Sequence, residues 1–309
     1  MQSLPLVTIV IATRNRKTDV IRALRSCIAQ DYPDFEILVF DDASTDGTAE
    51  EIESQFPQIR LIVDGRRRGY IVRRNQGFRK ALGQYIVSLD DDAYFTSPQT
   101  LRQVVHAFGE YPDAAAMALS FVERKADKNH VHPSGAEMSS FVGCAHAIRR
   151  DVAIKAGGYR EIYVHQGEER DLCIRLMQLG YRIMAVDSAP IAHNVSPLRD
   201  RHRLEKYGIR NTLLFTTLNV PHPFLLLRLV IDGIRLIVRK PGWPITFWRA
   251  AYLLRAFCSC ARYGYLRDPV SLDAYRRFRS LPRHGPRKWA EKPESADSME
   301  AGICSFTHS

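Results

Sequence analysis

The chain has 309 residues, of which 45% are hydrophobic and 25% charged, and these values exclude a disordered or fibrous protein. Its length is enough for one large α/β domain or two smaller ones. An excess of lysine and arginine gives a formal charge of +10, which favours an anionic partner: nucleic acid, anionic lipid or a phosphorylated small molecule.

Strands and helices alternate through the first 112 residues. Apolar runs predict strands at 6–12, 35–42, 59–64 and 85–89. Two of the helices between them show clear apolar faces, made of Val20, Ile21, Leu24 and Ile28 and of Leu101, Val104, Val105 and Phe108. The alternation predicts right-handed crossovers and a mostly parallel sheet, in which ligands bind beyond the carboxyl ends of the strands.

Polar side chains follow three of these predicted strands, at Thr13, Asp41 and Asp42, and Asp90 to Asp92. Three adjacent carboxylates repel one another, so we expect a positive partner beside them. Alternate residues point the same way, so Asp90 and Asp92 can face one ligand, and Mg²⁺ or Mn²⁺ suits such oxygen ligands. For the three aspartates alone, a solvated acidic turn is the competing interpretation.

The second half of the chain alternates less regularly. The segment "GEERDLCIRLMQLGYRI" predicts a helix that begins near Glu168 and buries Leu172, Leu176 and Leu179. The following segment "IMAVDSAPIAHNVS" predicts one strand running to His193. The polar residues after about 290 predict a disordered tail.

Cysteine usage and hydrophobicity predict the compartment. Six scattered cysteines favour reduced thiols in the cytoplasm. The segment "MQSLPLVTIVIATRN" lacks the basic region of a secretory signal, and no uncharged apolar run reaches the length of a membrane span. Peripheral attachment to the inner face of the cell membrane stays open.

Four segments in this order, "TIVIATRNR", "ILVFDDASTDGT", "RRNQGFRKALGQYIVSLDDDA" and "GEERDLCIRLMQLGYRI", resemble the nucleotide-sugar glycosyltransferases of family 2. The resemblance covers roughly residues 5 to 215. It implies the GT-A fold, with a Rossmann-like, mostly parallel central sheet flanked by helices. The implied organisation is a catalytic domain at 1–215, divided near residue 112 into nucleotide-sugar and acceptor halves, a basic helical extension at 216–290 and the tail at 291–309.

The resemblance also implies the donor site. Its nucleotide contacts would come from Thr13, Arg14, Asp41, Asp42, Arg74, Asn75, Asp90 and Asp91. Either Asp41 or Asp42 would accept a hydrogen bond from the pyrimidine base, and Arg74 would face the diphosphate. Asp92 matches the direct ligand of Mn²⁺ or Mg²⁺, with Asp90 toward the ribose or the metal and His193 completing the site. A structural role is the alternative for this single histidine.

The catalytic base implied by the resemblance is the second acid of a pair, which falls on Glu169. Family members more often have aspartate there, so which of Glu168 and Glu169 reaches the acceptor stays open. Acids at a helix start are also favoured by the helix dipole, and Asp171 could be a structural support. One base without a second nucleophile implies displacement with inversion.

The implied reaction is hexosyl or deoxyhexosyl transfer from a UDP- or dTDP-linked sugar to a saccharide or lipid-linked acceptor, in surface polysaccharide or glycolipid assembly. One alternative is a polyprenyl-phosphate glycosyltransferase, although the second membrane segment usual in such proteins is missing. Another is a catalytically silent GT-A module that binds a partner.

Two basic, apolar segments follow the catalytic part. In "FLLLRLVIDGIRLIVRK", one helical stripe carries Arg228, Asp232, Arg235 and Arg239. Such a helix could lie in an anionic membrane interface, with Leu225, Leu229 and Ile237 inserted, or pack on the domain with its arginines in water. Residues 243–267 again combine aromatic and basic side chains, which is typical of contact with lipid headgroups. Because no nucleic-acid fold signature accompanies them, they favour a membrane over nucleic acid.

Overall fold

The structure, a computed structural model, describes residues 4–123, 128–130, 134–194, 200–238 and 247–282. The tail predicted at 291–309, and Arg239 of the predicted stripe, lie outside these residues. The strands are β1 (Val7–Thr13), β2 (Phe35–Asp41), β3 (Arg60–Val63), β4 (Tyr85–Asp90), β5 (Ala93–Phe95), β6 (Ala114–Ala118), β7 (Phe121–Glu123), β8 (Lys128–His130), β9 (Ala145–Arg149), β10 (Arg182–Ala185) and β11 (Ile191–His193).

Seven strands form the central sheet, in the order β10-β6-β9-β4-β1-β2-β3. The four strands predicted from the first half pair in parallel, and β10 pairs in parallel with β6. Only β9 runs antiparallel to its neighbours in this sheet. The mostly parallel α/β prediction is therefore confirmed. Because β9 runs the other way, the residues just before it lie at the carboxyl edge of β4.

The prediction of a single strand running to His193 is wrong. The segment forms two short strands, with β10 in the central sheet and β11 in a second sheet of order β5-β11-β7-β8. Pro190 stands between them and has no backbone N–H to continue a ladder. The break moves His193 to the second sheet, where it pairs with Ala93 of β5.

The helices are α1 (Lys17–Ile28), α2 (Thr48–Gln55), α3 (Tyr70–Lys80), α4 (Thr100–Glu110), α5 (Arg150–Lys155), α6 (Glu168–Gln178), α7 (Arg201–Asn219), α8 (Phe224–Val238), α9 (Phe247–Tyr263) and α10 (Leu272–Ser280). Helix α6 begins at Glu168, as predicted. Two predicted core residues are surface residues instead, because Ile28 is the last residue of α1 and Leu179 follows the end of α6; each is 39% exposed.

The C-terminal helices pack on the catalytic part at two places. Phe278 of α10 shares a buried apolar cluster with Leu172 and Leu176 of α6. Helices α8 and α9 both contact α7 and share a smaller apolar cluster with it. The boundary predicted at residue 215 falls inside α7. Within the described ranges, no helix is both long enough and apolar enough to cross a membrane.

Two residues of the polar stripe on α8, Arg228 and Asp232, face the protein and not water. Arg228 is 9% exposed, and its Nη2 lies 2.9 Å from Oδ1 of the buried Asp232. The Thr216 hydroxyl of α7 donates to Asp232 Oδ2 at 2.7 Å. Leu229 packs toward the small cluster, and only Arg235 of the described stripe is exposed. A buried ion pair satisfied by α7 therefore decides the rotation of the helix.

Candidate active site

The predicted strand-end residues meet at one edge of the central sheet. Thr13 lies opposite Asp41 in the β1–β2 ladder, and Ala12 lies opposite Asp90 in the β1–β4 ladder. The Asp42 N–H also donates to the Thr13 carbonyl at 2.8 Å. Parallel pairing with matched strand lengths thus places the β1, β2 and β4 ends together.

Two arginines supply the positive charge expected beside the three aspartates. Arg74 Nη2 lies 2.6 Å from Asp90 Oδ1. Arg16 Nη1 lies 2.7 Å from Asp92 Oδ2, and its Nε lies 3.8 Å from Asp91 Oδ1. Arg16 was not among the predicted site residues, although it stands two residues beyond Arg14 in the same strand-end loop. These two guanidiniums offset part of the repulsion among the three carboxylates.

His193 lies beside Asp92, with its Nε2 3.3 Å from Asp92 Oδ1. The β11–β5 pairing produces this contact, because Ala93 directly follows Asp92 and lies opposite His193. Burial acts to raise the pKa of Asp92, but His193 and Arg16 together lower it. Asp92 is therefore ionised at neutral pH.

The donor set suits a hard divalent cation. Ligand atoms of Asp90, Cys144 and His193 lie within 4.8 Å of one another, and Asp92 contacts the same histidine. Carboxylate oxygens and an imidazole nitrogen match Mn²⁺ or Mg²⁺ better than a softer metal. Burial raises the pKa of the Cys144 thiol well above its usual value, which makes it a poor ligand. The residues that fit a cation are therefore Asp90, Asp92 and His193.

Asp41 and Asp42 have different surroundings. Both Asp42 oxygens are taken: Oδ1 accepts from the Arg68 N–H and from Arg73 Nε, and Oδ2 accepts from the Gly69 N–H. Asp41 Oδ1 accepts from the Ser44 N–H, whereas its Oδ2 is buried without a hydrogen-bond partner among the described residues. Of the two, Asp41 has the oxygen available for a ligand N–H.

Thr13 and Arg14 lie beside Asp41 and also have unused polar atoms. Thr13 Oγ1 and Arg14 Nε are buried and make no hydrogen bond within the part of the chain that the structure describes. The next residue, Asn15, adopts a positive φ of 51°. Its N–H donates to Ser44 Oγ and its side-chain oxygen accepts from the Thr45 N–H, so the β1 and β2 loops are tied together.

Three consecutive residues near the start of α3, Arg73 to Asn75, make different contacts. Arg73, which was not among the predicted site residues, is fully buried and pairs with Asp42 at 2.8 Å and Asp64 at 3.1 Å. Arg74 faces the aspartate cluster. Asn75 does not: its side chain donates to the Tyr159 carbonyl at 2.8 Å and accepts from the Tyr159 N–H. Asn75 thus anchors the backbone at Tyr159, and its nucleotide contact stays a prediction.

Glu168 and Glu169 lie at the start of α6 beside Arg74. Glu168 is fully buried, and its Oε1 lies 3.5 Å from Arg74 Nη1. Glu169 is partly exposed and reaches Gly143, where an added Cβ would lie 2.5 Å from its Oε1. Burial raises the pKa of both glutamates, and for Glu168 the charge of Glu169 adds to the effect. Arg74 thus connects the aspartate cluster to this pair.

The turn that leads into α6 is held by Asn211 of α7. Val164, Gln166 and Gly167 all have positive φ, which side-chain-bearing residues rarely adopt. The Asn211 amide nitrogen lies within 2.9 Å of the Tyr163, His165 and Gln166 carbonyl oxygens and donates to them. No local pattern in the sequence indicates this contact.

Asp171, one turn into α6, has a structural role. It is fully buried and accepts hydrogen bonds from Arg160, Tyr163 and Asn219. These contacts match the support suggested from sequence and fix α6 against its neighbours.

A basic cleft of about 580 Å³ opens beside the start of α3. Tyr70, on its wall, contacts Arg74 through its ring, and its hydroxyl accepts from the Gln166 N–H. Cationic side chains outnumber acidic ones in the lining, which includes Arg67, Arg68, Glu161, Arg203 and Lys206. The lining of this cleft therefore favours an anionic group.

The fold and this edge of the sheet define a GT-A glycosyltransferase-type domain. The family model "Glycosyl transferase family 2" matches residues 8–162, and the chain belongs to this family. Among curated proteins, it is 34% identical over 121 residues to the succinoglycan biosynthesis protein ExoO of Rhizobium meliloti, covering 39% of this chain and 33% of ExoO.

A second relative is the Escherichia coli UDP-Glc:alpha-D-GlcNAc-diphosphoundecaprenol beta-1,3-glucosyltransferase WfaP, 33% identical over 100 residues. That match covers 32% of this chain and 40% of WfaP. The chain thus matches well under two thirds of the length of either relative.

Solved structures support the fold. The mannosyltransferase PcManGT from Pyrobaculum calidifontis, in complex with GDP-Man and Mn²⁺, superposes with a TM-score of 0.59 at 23% identity, covering 89% of this chain and 79% of that one. Staphylococcus aureus TarS 1-349 gives 0.62 at 16% identity, covering 89% and 90%. These likenesses confirm the predicted GT-A fold.

Proposed function

We propose that the protein is an inverting, metal-dependent glycosyltransferase. It transfers a hexose or deoxyhexose from a nucleoside-diphosphate sugar to a hydroxyl of a saccharide or lipid-linked acceptor, in assembly of a surface polysaccharide or glycolipid. The observation that carries the proposal is the junction made by Arg74. One side chain contacts both Asp90 of a cation-suited cluster and Glu168 of a candidate base pair.

The donor side would be bound by the strand-end residues. Asp41 Oδ2 is the acceptor available to a base N–H, and a charged acceptor makes such a bond strong. Asp90, Asp92 and His193 would hold the divalent cation, which when bound would stabilise the negative charge that the leaving diphosphate gains. Arg16 and Arg74 add fixed positive charge at the same edge.

On the acceptor side, Glu169 would take the hydroxyl proton. It is the more exposed member of the pair, so it can approach a bound acceptor while Glu168 stays buried against Arg74. Its raised pKa suits a general base that works near neutral pH. With one base and no second nucleophile assigned, the hydroxyl would attack the sugar from the face opposite the leaving group, which inverts the anomeric centre.

The acceptor class is supported by the basic cleft. Its excess of cationic side chains suits an acceptor that carries phosphate, and it adjoins Tyr70 and the turn before the glutamate pair. The relative WfaP is named for a diphosphoundecaprenol-linked acceptor. A lipid-linked sugar diphosphate is therefore the acceptor class we propose.

Donor and metal are tested together. Nucleotide sugars linked to UDP, dTDP and GDP are screened by thermal shift with and without Mn²⁺, and the best binder is assayed for transfer. Asp92→Asn should abolish metal-dependent tightening of nucleoside-diphosphate binding measured by calorimetry. The exposed Asp187→Asn is the matched control. Unchanged metal dependence in Asp92→Asn would remove that residue from the cation site, and failure of every donor to bind would leave a silent binding module.

A further inference from the structure

Helix α8 exposes a continuous apolar face. Its exposed aliphatic residues are 38–72% exposed and comprise Leu226, Leu227, Val230, Ile234 and Ile237. At 3.6 residues per turn these five positions fall within an arc of about 100°. Isolated exposed leucines are common, but five on one arc of one helix form a patch that usually has a partner.

The rotation that exposes this face is fixed from the other side of the helix. Arg228 and Asp232 form the buried ion pair, and Thr216 of α7 satisfies the carboxylate. Rotating α8 so that its aliphatic residues face the protein would expose Arg228 and Asp232 to solvent and break the hydrogen bond from the Thr216 hydroxyl. The buried ion pair therefore keeps the aliphatic face of α8 exposed to solvent.

The charge around the face selects the partner. Across residues 224–266 the sequence has seven basic residues and one acidic residue, and that acid is the buried Asp232. Arg235 on α8, and Arg255 and Arg262 on α9, are exposed. Helices α8 and α9 thus carry exposed basic residues, and residues 224–266 include no exposed acidic residue. This combination of an apolar face and exposed positive charge is complementary to an apolar surface rimmed by negative charge.

We propose that the α8 face, defined as those five aliphatic residues, inserts into the interface of an anionic lipid bilayer. A second copy of the chain would bring the same basic surround against itself, and this charge repulsion disfavours self-association. Nucleic acid offers negative charge but no apolar layer for leucine, valine and isoleucine. Anionic lipid offers both, and a helix with this division lies in the plane of the membrane.

The test separates insertion from charge. Sedimentation is measured with vesicles of phosphatidylcholine alone and of phosphatidylcholine mixed with phosphatidylglycerol. The wild-type chain should bind the mixed vesicles. The triple variant Leu227→Gln, Val230→Gln, Ile234→Gln should lose about tenfold or more in partitioning, because burial of even one such side chain contributes about that factor.

A matched control changes three exposed aliphatic residues on the catalytic part: Val63→Gln, Leu82→Gln and Ile154→Gln. It should bind as the wild type does. A second variant with Arg235, Arg255 and Arg262 changed to Gln should lose the preference for anionic vesicles, and added salt should reduce wild-type binding in part by screening.

Three outcomes would overturn the proposal: wild-type chain that stays in solution with both vesicles, equal loss in the control triple, or a dimer by light scattering that dissociates in the α8 triple. The last would make the face an interface between copies. Vesicle binding is measured without donor or acceptor, so its failure leaves the transferase proposal standing, and failure of transfer leaves this one standing.

Discussion

Adjacent residues at the edge of the central sheet differ in whether their polar atoms are already hydrogen-bonded within the protein. Asp41 and Asp42 follow the same strand, yet the buried Arg73 guanidinium occupies Asp42 and leaves one oxygen of Asp41 unused. The same division separates Arg74, which faces the cluster, from Asn75, which binds the backbone of Tyr159. Of two neighbours in sequence, one thus makes contacts that hold the fold together, and the other keeps an unused oxygen or faces the aspartate cluster.

The glutamate pair yields a prediction at this scale. Glu169→Gln should retain donor affinity and lose transfer by about a hundredfold or more, because general-base catalysis contributes that much. Glu168→Gln keeps the shape of the buried side chain and should lose less. Calorimetric donor binding and initial transfer rates separate the two effects. The reverse order of losses would assign the base to Glu168.

At the scale of elements, the start of α6 is placed by contacts from other helices. Asn211 of α7 holds the turn before the helix, Asp171 fixes its first turns, and Gly143 before β9 leaves room for Glu169. The Cβ of an alanine at 143 would lie 2.5 Å from Glu169 Oε1 and 2.9 Å from Arg74 Nη1, so these side chains would have to move. The positions of Glu168 and Glu169 therefore depend on α7 and on the residues before β9 as much as on α6.

Asn211→Ala should loosen this turn. The Tyr163, His165 and Gln166 carbonyls lose their donor, at a cost on the order of 1–3 kcal/mol in unfolding free energy. We expect kcat to fall more than the affinity for the nucleotide sugar. The proposed nucleotide-sugar contacts lie at the ends of β1, β2 and β4, away from this turn. Thermal melts and transfer kinetics test this. A variant with unchanged kcat and lowered Tm would show that the turn supports stability alone.

For the whole molecule, the buried carboxylates should make stability and activity change in opposite directions as the pH rises. Burial raises the pKa of Glu168 and Glu169, and it raises the pKa of Asp91 to about 7 against the opposing charge of Arg16. A raised folded-state pKa contributes stability fully below the ordinary carboxyl pKa, and that contribution is lost as pH rises through the raised value. Asp92 and Asp171 have lowered pKa values, so their contributions are complete above the ordinary range.

The metal-free protein should therefore melt at lower temperature at about pH 8 than at about pH 6, because Asp91 and Glu168 lose protons over this interval. Transfer by metal-loaded protein should rise with pH as the Glu169 carboxyl, whose pKa burial raises, loses its proton. Calorimetric Tm and initial rates at both pH values test this. Asp91→Asn should reduce the pH dependence of Tm. An equal Tm at the two pH values, in the wild type and in Asp91→Asn alike, would contradict the raised pKa values of these carboxylates.

The sequence by itself determined the parallel half of the sheet, the start of α6 and the meeting of three strand ends, because hydrophobic periodicity and strand direction act locally. Its recognisable segments also predicted Asp90, Asp92 and the glutamate pair as site residues. It could not decide between Asp41 and Asp42, divide the strand before His193, or give the direction of the Arg228 stripe. Each of these depends on a partner far along the chain: Arg73, the second sheet and Thr216. Buried polar groups must find such partners, and only the tertiary structure brings them together.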